Sequence, residues 1–462
     1  MSLAGSADGP RPGPRMSGAA GGRASTLSIR YESVVNAAVW VFVACGAIAL
    51  IEPSPYDFAS FVAIPLWFLG GFTMHKSFLP FYFLLILEAI VGFFALVPYW
   101  SDADAALYQY QTAYLTLTGL FFALYVGERT EERAELILKA YTVGAFVAAV
   151  CGVVGYFDLA GLGETFSRYG RASGTFKDPN VLGSFVILGA VYLTQNLLLA
   201  RARNVALTAA MLTVIVAGAF LSFSRGSWGA AIFSIIFMIA AAYATSESAR
   251  GKRRIAVFAI VAAMLMVVVV AALLSFDETR EFFLQRAALA QDYDAGETGR
   301  FGNQIRSLPM LLDRFGGFGP LRFRLVFNLE PHNSYIGAFA NGGWVGGLLF
   351  VLIVGITTFI GLRLMFKRSP YQRLAQVYFP ALMAFFLQAF QIDVDHWRHV
   401  FLMLGAVWGL EAARQKWRAR RLSTGTAREA TDRLSTAADP ANDAARSRAA
   451  GVNSTATAQR RA

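Results

Sequence analysis

The chain passes from a long polar segment into a long apolar one at HNSYIGAFANGGWVGG, residues 332–347. Its first three residues therefore lie where the chain leaves water and enters lipid. The glycines that follow, Gly342, Gly343, Gly346 and Gly347, allow another backbone to approach closely, as small residues do between membrane helices. An imidazole held at such a boundary is a candidate general base. The stretch thus indicates a membrane helix with a reactive group at its start.

The composition extends this prediction to the whole chain. Of its 462 residues, 56% are hydrophobic and only 15% are charged, with a mean hydropathy of +0.48, whereas a soluble domain carries about 25% charge. We therefore predict an all-α polytopic membrane protein with about twelve transmembrane helices and one long periplasmic loop. The predicted spans lie near 34–52, 56–74, 79–99, 108–127, 135–157, 179–200, 204–222, 227–245, 254–276, 334–362, 371–392 and 396–414.

The alternation of apolar and polar stretches divides the chain into three regions. Residues 1–33 and 415–462 are rich in small and polar residues, and the second segment is also basic. We predict that both are disordered, because neither can bury enough apolar surface to offset the entropy of ordering. Residues 34–414 form the predicted transmembrane domain, which includes the large loop at 277–333.

The distribution of basic residues gives the orientation. Lys and Arg concentrate in alternate loops and at both termini, while the loops near 53–55 and 100–107 contain none. The positive-inside rule therefore predicts cytoplasmic termini. It places 161–180, 222–227 and 391–399 on the periplasmic side, together with the long loop. This distribution explains most of the net charge of +11, and nothing in the sequence indicates a nucleic-acid partner.

The long loop has two unusual features. Its stretches 278–291 and 302–315 look amphipathic and are predicted to lie on the membrane surface. It also carries seven arginines on the side where positive charge is normally sparse. We predict that two of them contact an anion and that most of the others are solvated surface charge. The anion-contacting pair is Arg300 and Arg306, and the others are Arg280, Arg286, Arg314, Arg322 and Arg324.

Two short motifs supply the first candidate site residues. His332 is a candidate base for a hydroxyl nucleophile, with Asn333 orienting the ring or a sugar; the alternative is a helix-start histidine whose nitrogens bond backbone or water. Arg225 lies in a very short turn, SFSRGSWG at 222–229, between two apolar spans. Its guanidinium can bind a phosphate or pyrophosphate bidentately, or it can meet lipid headgroups.

Two further segments add polar groups on the same side. In RASGTFKDPN, residues 171–180, Arg171 and Lys177 are candidates for phosphate and Asn180 for sugar hydroxyls. Asp178 is predicted mainly to cap the helix that follows it. Finally, DVDHWRH at 393–399 crowds charges into one turn.

Three interpretations of that last turn stay open. His396 and His399 with Asp395 have the spacing of a metal site, Asp395 can cap the last helix, and an Asp–Arg or Asp–His pair can orient the site. We retain Asp395 and Arg398 as substrate-binding candidates and predict no metal. The two cysteines, Cys45 and Cys151, form neither a disulfide framework nor a CxxC metal site.

The sequence resembles a known family at these motifs. His332-Asn333, followed after nine residues by Gly343 and after two more by Gly346, is similar to the signature of bacterial O-antigen ligases and of the related O-antigen and exopolysaccharide polymerases. Ser224-Arg225-Gly226, the 174–180 segment and Gly299-Arg300 resemble further features of that family, in the usual order. The resemblance covers about residues 165–410.

The resemblance implies inverting transfer of a glycan from an undecaprenyl-diphosphate carrier, without metal or cofactor, in surface polysaccharide biosynthesis (O-antigen, capsule or exopolysaccharide). Arg225 and Arg300 would hold the diphosphate, and His332 would accept a proton from an acceptor glycan or lipid core. The reaction would take place at the periplasmic face of the bacterial inner membrane. Polymerase and ligase share these motifs, so the acceptor stays open.

A transporter or flippase for lipid-linked sugars is the alternative from another class. It predicts polar residues along the spans at mid-bilayer. The examples in this sequence are few: Glu88, Gln195 and Gln388.

Overall fold

The computed structural model describes residues 19–287, 296 and 299–437. Within that part of the chain, the protein consists of α-helices and one small antiparallel hairpin, in which β1 (Ser167–Arg168) pairs with β2 (Arg171–Ala172). The helical class predicted from composition is confirmed. The helices are α1 (Ala19–Cys45), α2 (Pro55–Leu69), α3 (Leu79–Leu96), α4 (Ala103–Gly127), α5 (Thr130–Tyr156), α6 (Gly163–Phe166), α7 (Pro179–Leu198), α8 (Val205–Leu221), α9 (Arg225–Thr245), α10 (Ala249–Leu273), α11 (Asp277–Ala287), α12 (Arg300–Asp313), α13 (Phe323–Phe327), α14 (Ser334–Phe366), α15 (Gln372–Gln388) and α16 (Arg398–Ala437).

Each predicted span overlaps one of these helices. In the described part of the chain, six helical segments are long and apolar enough to cross a membrane, and α2 and α8 are apolar but shorter. The chain is therefore a multi-pass membrane protein, while the count of twelve spans and the orientation stay predictions. The six segments are Lys76–Tyr99, Thr130–Tyr156, Pro179–Leu198, Arg225–Thr245, Ala249–Leu273 and Ser334–Phe366.

Burial varies strongly from one span to another. Nearly all of α7 is buried inside the bundle, whereas α10 exposes almost its whole length, including Val261, Leu265 and Val268. A helix that exposes such an apolar surface is suited to lipid rather than water. The bundle thus has α7 at its centre and α10 at its edge.

Two helices extend into the terminal segments that we predicted to be disordered. Helix α1 begins at Ala19, within the predicted N-terminal segment, and α16 continues to Ala437, beyond the predicted boundary at 415. Both extensions are rich in Ala and Arg, which favour helix, and each continues a helix that is already nucleated. Residues 1–18 and 438–462 of the two predicted segments lie outside the described residues.

The long loop before α14 contains three helices, α11, α12 and α13. Helix α12 buries the polar residues Asn303, Gln304 and Ser307 and exposes Ile305 and Leu312. A helix that faces water instead exposes its polar residues and buries its apolar ones. The exposed apolar side chains of α12 therefore agree with the predicted position of this stretch on the membrane surface.

One arginine of this loop is not the solvated surface charge that we predicted. The Arg322 side chain is only 19% exposed, and its Nη2 lies 2.7 Å from Oδ2 of Asp102 at the start of α4. Its guanidinium also lies over the Tyr99 ring, 4.4 Å from the centroid. Arg322 therefore holds the loop against the helical bundle.

Helix α14 is kinked at Gly343, whose φ of 64° and ψ of −162° are accessible mainly to glycine. A Cβ there would lie 2.3 Å from the Phe315 carbonyl oxygen, and the next residue, Trp344, donates its backbone N–H to the same oxygen at 2.9 Å. The predicted close approach of another backbone is confirmed at Gly343. The approaching backbone is the segment after α12.

The contact between α4 and α16 also depends on a glycine. A Cβ added to Gly405 would lie 2.4 Å from the Gly119 carbonyl oxygen, whereas one added to Gly355 of α14 would meet nothing within 4 Å. We expect Gly405→Ala to lower the free energy of unfolding by about 1–3 kcal/mol, because the two backbones must separate. Thermal unfolding of the detergent-purified protein measures this change. Gly355→Ala is the matched control, and equal unfolding midpoints for the two variants would contradict the packing described.

Candidate active site

One cavity gathers the predicted catalytic group and several of the predicted anion contacts. Its volume is about 910 Å³, and we call it the basic cavity. The predicted site residues that line it are His332, Arg225, Arg300, Arg171 and Asn180. They come from four stretches that are distant in sequence, so tertiary folding brings them to one place.

The starts of four helices, α7, α9, α12 and α14, also lie at the basic cavity. Three of them carry side-chain caps: Asp178 accepts from the Asn180 N–H at 2.6 Å, Ser224 from Ser227 at 3.3 Å and Asn333 from Ile336 at 3.1 Å. The capping role predicted for Asp178 is confirmed. Each helix start carries a partial positive charge of about half an elementary charge, so together they favour an anion in the cavity.

The charged side chains of the cavity add to the partial positive charge of the helix starts. Among the described residues, four arginines and two carboxylates line the basic cavity, so the arginines outnumber the carboxylates in this part of the lining. One of the arginines, Arg286 of α11, was predicted to be surface charge; its guanidinium lies over the Phe282 ring, 5.5 Å from the centroid. The six charged groups are Arg171, Arg225, Arg286, Arg300, Asp178 and Asp393.

His332 is paired with a carboxylate that we did not include among the site residues. Its Nδ1 lies 3.3 Å from Oδ2 of Asp393, and Oδ1 of the same carboxylate accepts the Asn333 backbone N–H at 3.0 Å. Because Nδ1 faces Asp393, Nε2 is the nitrogen available to exchange a proton with a ligand. The alternative prediction, that the ring nitrogens bond only backbone or water, does not include this contact between Nδ1 and Asp393.

The backbone at His332 is also unusual. Its φ of 45° lies in the left-handed region, which costs a non-glycine residue about 1 kcal/mol or more. Phe223, another residue of the basic cavity, has a φ of 46°. Neighbouring hydrogen bonds hold the strained segment: the Gln304 side chain donates to the Pro331 carbonyl at 2.9 Å, and the Ser334 N–H donates to Ala389 at 2.8 Å.

Two of the arginines are fixed by backbone carbonyls. Arg300, the first residue of α12, donates Nη1 to the Gln391 carbonyl at 3.1 Å. Arg171 donates Nε to the Ser222 carbonyl at 2.7 Å and Nη2 to Oδ1 of Asn180 at 2.8 Å. Arg171 is only 7% exposed, so it supports the turn that carries Arg225.

Three predicted site residues do not line the basic cavity because other groups bind them. Nζ of Lys177 lies 2.8 Å from Oε1 of Glu52, and Nη2 of Arg398 lies 3.0 Å from Oδ2 of Asp57. The Asn333 side chain caps α14 and donates a hydrogen bond to the Phe390 carbonyl at 3.2 Å. Arg306, predicted as a further anion contact, also lies outside the lining and over the Phe327 ring.

Asp395 is likewise separate from the basic cavity. It accepts hydrogen bonds from the Tyr108 hydroxyl at 2.8 Å and from Nδ1 of His396 at 2.9 Å. Of the interpretations left open, the Asp–His pair is the one found, since α16 begins only at Arg398. Among the described residues, no group of three or more His, Cys, Asp or Glu side chains is arranged to hold a metal.

The Asp395–His396 pair also shifts the pKa of both groups. Burial opposes both charges, but the hydrogen bond and charge of Asp395 outweigh it and raise the pKa of His396. In turn, His396 and the Tyr108 hydroxyl hold the pKa of Asp395 below its usual value, against the effect of burial. The pair is therefore stabilised in its ionised form.

Comparison with known proteins identifies the segment that contains the central site residues. Residues 208–351 match the family model described as O-antigen ligase. This segment is therefore similar to an O-antigen ligase domain, and it includes Arg225, Arg300 and His332. The predicted resemblance to the O-antigen ligase and polymerase family is confirmed. The match implies a role of that type in surface polysaccharide synthesis. No curated protein matches the chain.

The basic cavity extends beyond the segment that matches the family model. Arg171, Asn180 and Asp393 lie outside the matched residues. Asp393 was not among the site residues that we predicted, although its turn is dense in charged residues. No local signal in the sequence distinguished Arg286 from the other loop arginines.

The Asp395–His396 pair predicts a pH dependence of stability. Since the folded-state pKa of His396 is raised, its contribution is complete below the unfolded value of about 6.5 and is lost as pH rises through the folded pKa. We therefore expect His396→Asn to be less stable than wild type at about pH 6, and we expect this difference to narrow by about pH 9. Thermal unfolding in detergent at a series of pH values measures it.

His75 provides a control of opposite sign. Burial lowers the pKa of His75, so its contribution is present at high pH and lost as pH falls through the folded pKa. The difference in unfolding temperature between wild type and His75→Asn should not narrow as pH rises. If the His396 difference stays constant across the range, the ionised pair does not contribute to stability.

Proposed function

We propose that this protein transfers a glycan from an undecaprenyl-diphosphate carrier to an acceptor hydroxyl in surface polysaccharide biosynthesis, at the periplasmic face of the bacterial inner membrane. The observation that carries the proposal is a single cavity lined by the His332–Asp393 pair and by Arg225 and Arg300. A base and an anion site in one cavity are what such a transfer requires.

The proposed step is a direct displacement at the anomeric carbon. The acceptor oxygen forms the new glycosidic bond, while the bond between the anomeric carbon and the phosphate oxygen breaks. Nε2 of His332 takes the hydroxyl proton, and Asp393 stabilises the imidazolium that forms, as a carboxylate does when it pairs with a general-base histidine. A single displacement inverts the configuration of the anomeric carbon.

The diphosphate leaves with the bonding electrons and gains negative charge. Arg225 and Arg300, which line the same cavity, bind that negative charge in this proposal, and the partial positive charges of the surrounding helix starts stabilise it further. The positive charge comes from guanidinium groups of the chain itself, and on this ground we propose a transfer that is independent of metal and cofactor. Because Arg300 is fixed to the Gln391 carbonyl, it needs little reorganisation when charge develops.

The polar residues of the spans support transfer over transport. Gln195 donates to the Arg373 carbonyl at 3.0 Å, and Gln388 donates to the Ser184 hydroxyl at 3.1 Å. Glu88 lines a small cavity of about 110 Å³ with mostly apolar residues. The two glutamines join α7 to α15, whereas a transporter needs polar groups that line a pathway.

Removal of the proposed base, His332, or of Arg225 tests the proposal directly. We expect His332→Ala and Arg225→Ala to reduce surface polysaccharide by about 100-fold or more, since each removes a group that acts in the transition state. The product is measured on gels from cells that contain equal amounts of the membrane-inserted protein.

The matched controls are His75→Ala and Arg280→Ala. His75 caps a short turn before α3, and Arg280 pairs with Asp277 at the surface, so both should leave the product unchanged. Undiminished polymer in both test variants would reject the assignment. The same gels separate the two acceptors, because loss of a polymerase leaves single repeats while loss of a ligase leaves carrier-linked polymer.

Asp393 is a positioning residue, and its test has a different readout. Asp393→Asn keeps the size of the side chain and an acceptor for the Asn333 N–H, but it removes the charge beside His332. We expect kcat to fall by about 100-fold with the KM for the donor nearly unchanged, and the pH–rate profile to shift. Asp277→Asn is the control, and a rise in donor KM without loss of kcat would contradict the pairing.

A further inference from the structure

A second cavity lies directly beside the basic cavity. Its volume is about 790 Å³, and we call it the neutral cavity. Asp178, Val181 and Trp397 line both cavities and form the wall between them. Helices α2 and α4 supply much of the remaining lining, and neither belongs to the matched family segment.

The lysine and the arginine of the neutral cavity are each paired with a carboxylate of its lining. Lys177 bonds Glu52 at 2.8 Å, and Arg398 bonds Asp57 at 3.0 Å and the Ser54 hydroxyl at 2.6 Å. Two further groups of the lining have partners elsewhere, since Asp178 caps α7 and His396 pairs with Asp395. Among the described residues, the neutral cavity therefore lacks the arginine excess of the basic cavity. A ligand without charge suits it better than a diphosphate.

The remaining lining combines aromatic rings with polar groups. Tyr110, Tyr114 and Trp397 offer ring surfaces, and Gln111 offers an amide. A sugar ring has apolar C–H faces and a rim of hydroxyls, so it fits a cavity with flat apolar walls and a few polar groups. The chemistry of the lining is therefore that of a carbohydrate site.

Among the described residues of this lining, His399 has a buried polar atom without a hydrogen bond. The residue is only 4% exposed, and the atom is its Nε2. Its ring packs against Trp397, with centroids 5.3 Å apart. A buried polar atom without a partner is costly, so Nε2 is a candidate contact for a ligand hydroxyl in the cavity that His399 lines.

We propose that the neutral cavity binds uncharged sugar residues of the acceptor glycan, while the basic cavity binds the carrier diphosphate. The shared wall at Trp397 places the two ligands side by side, so that an acceptor hydroxyl extends past it towards His332. The inference rests on the proposed function, because it assigns the second substrate of the same reaction. It also gives Lys177 and Arg398 a role in shaping the acceptor site.

A bulky residue at the mouth of the neutral cavity tests the inference. Leu107 lines the cavity and is 55% exposed, and Leu117 lies on the same helix, is 48% exposed and lies outside the lining. Leu107→Trp narrows the cavity, and Leu117→Trp is the matched control. A second variant, Gln111→Leu, removes the amide while keeping a similar volume.

Binding of two probes to the full chain in detergent is measured by calorimetry. One probe is the lipid-free repeat-unit oligosaccharide released from the host's surface polysaccharide, and the other is inorganic pyrophosphate. We expect Leu107→Trp and Gln111→Leu to weaken oligosaccharide binding by about tenfold and to leave pyrophosphate binding within about twofold. Arg225→Ala should do the reverse, and Leu117→Trp should change neither.

The outcomes separate the inference from the proposed function. Oligosaccharide binding that is absent, or unchanged by Leu107→Trp, overturns the inference and leaves the basic cavity as proposed. The inference is also overturned if undecaprenyl phosphate, rather than oligosaccharide, competes for the neutral cavity. Absence of pyrophosphate binding in the wild type counts against the proposed function itself.

Discussion

The carboxylate of Asp393 holds the site together, because its two oxygens bind two different parts of the same turn. One oxygen faces the His332 imidazole and the other accepts the backbone N–H of Asn333. The connection between α15 and α16 is thereby joined to the start of α14. Together with the hydrogen bonds of Gln304 and Ser334, these contacts hold His332 in its left-handed backbone conformation. The same interaction fixes which ring nitrogen faces the cavity.

The basic cavity is an electrostatic consequence of how the helices are directed. Four helices start at it, and cap residues such as Asp178 and Asn333 satisfy only part of their backbone N–H groups. Arginines at the first positions of α9 and α12 add full charges to these partial ones. Charge interactions near a membrane surface are stronger than in bulk water, so the lipid-linked anion that we propose as substrate would meet positive charges that are already in place.

The two neighbouring cavities differ in the balance of charge among their described lining residues. Lys177 and Arg398 line the neutral cavity, and each contacts a carboxylate there. Four arginines and two carboxylates line the basic cavity. The proposed assignment of an anion to one cavity and of uncharged sugars to the other rests on this difference.

The sequence by itself determined the positions of the helices and several of their starts, because hydrophobic runs and capping residues act over a few neighbours. It also singled out His332, Arg225 and Arg300, since polar groups between apolar spans are conspicuous. Only the tertiary structure decided that Asp393 pairs with His332 and that Lys177 turns away to Glu52, although Lys177 and Asn180 share one short stretch. Such partners are distant along the chain, and the packing of whole helices chooses among them.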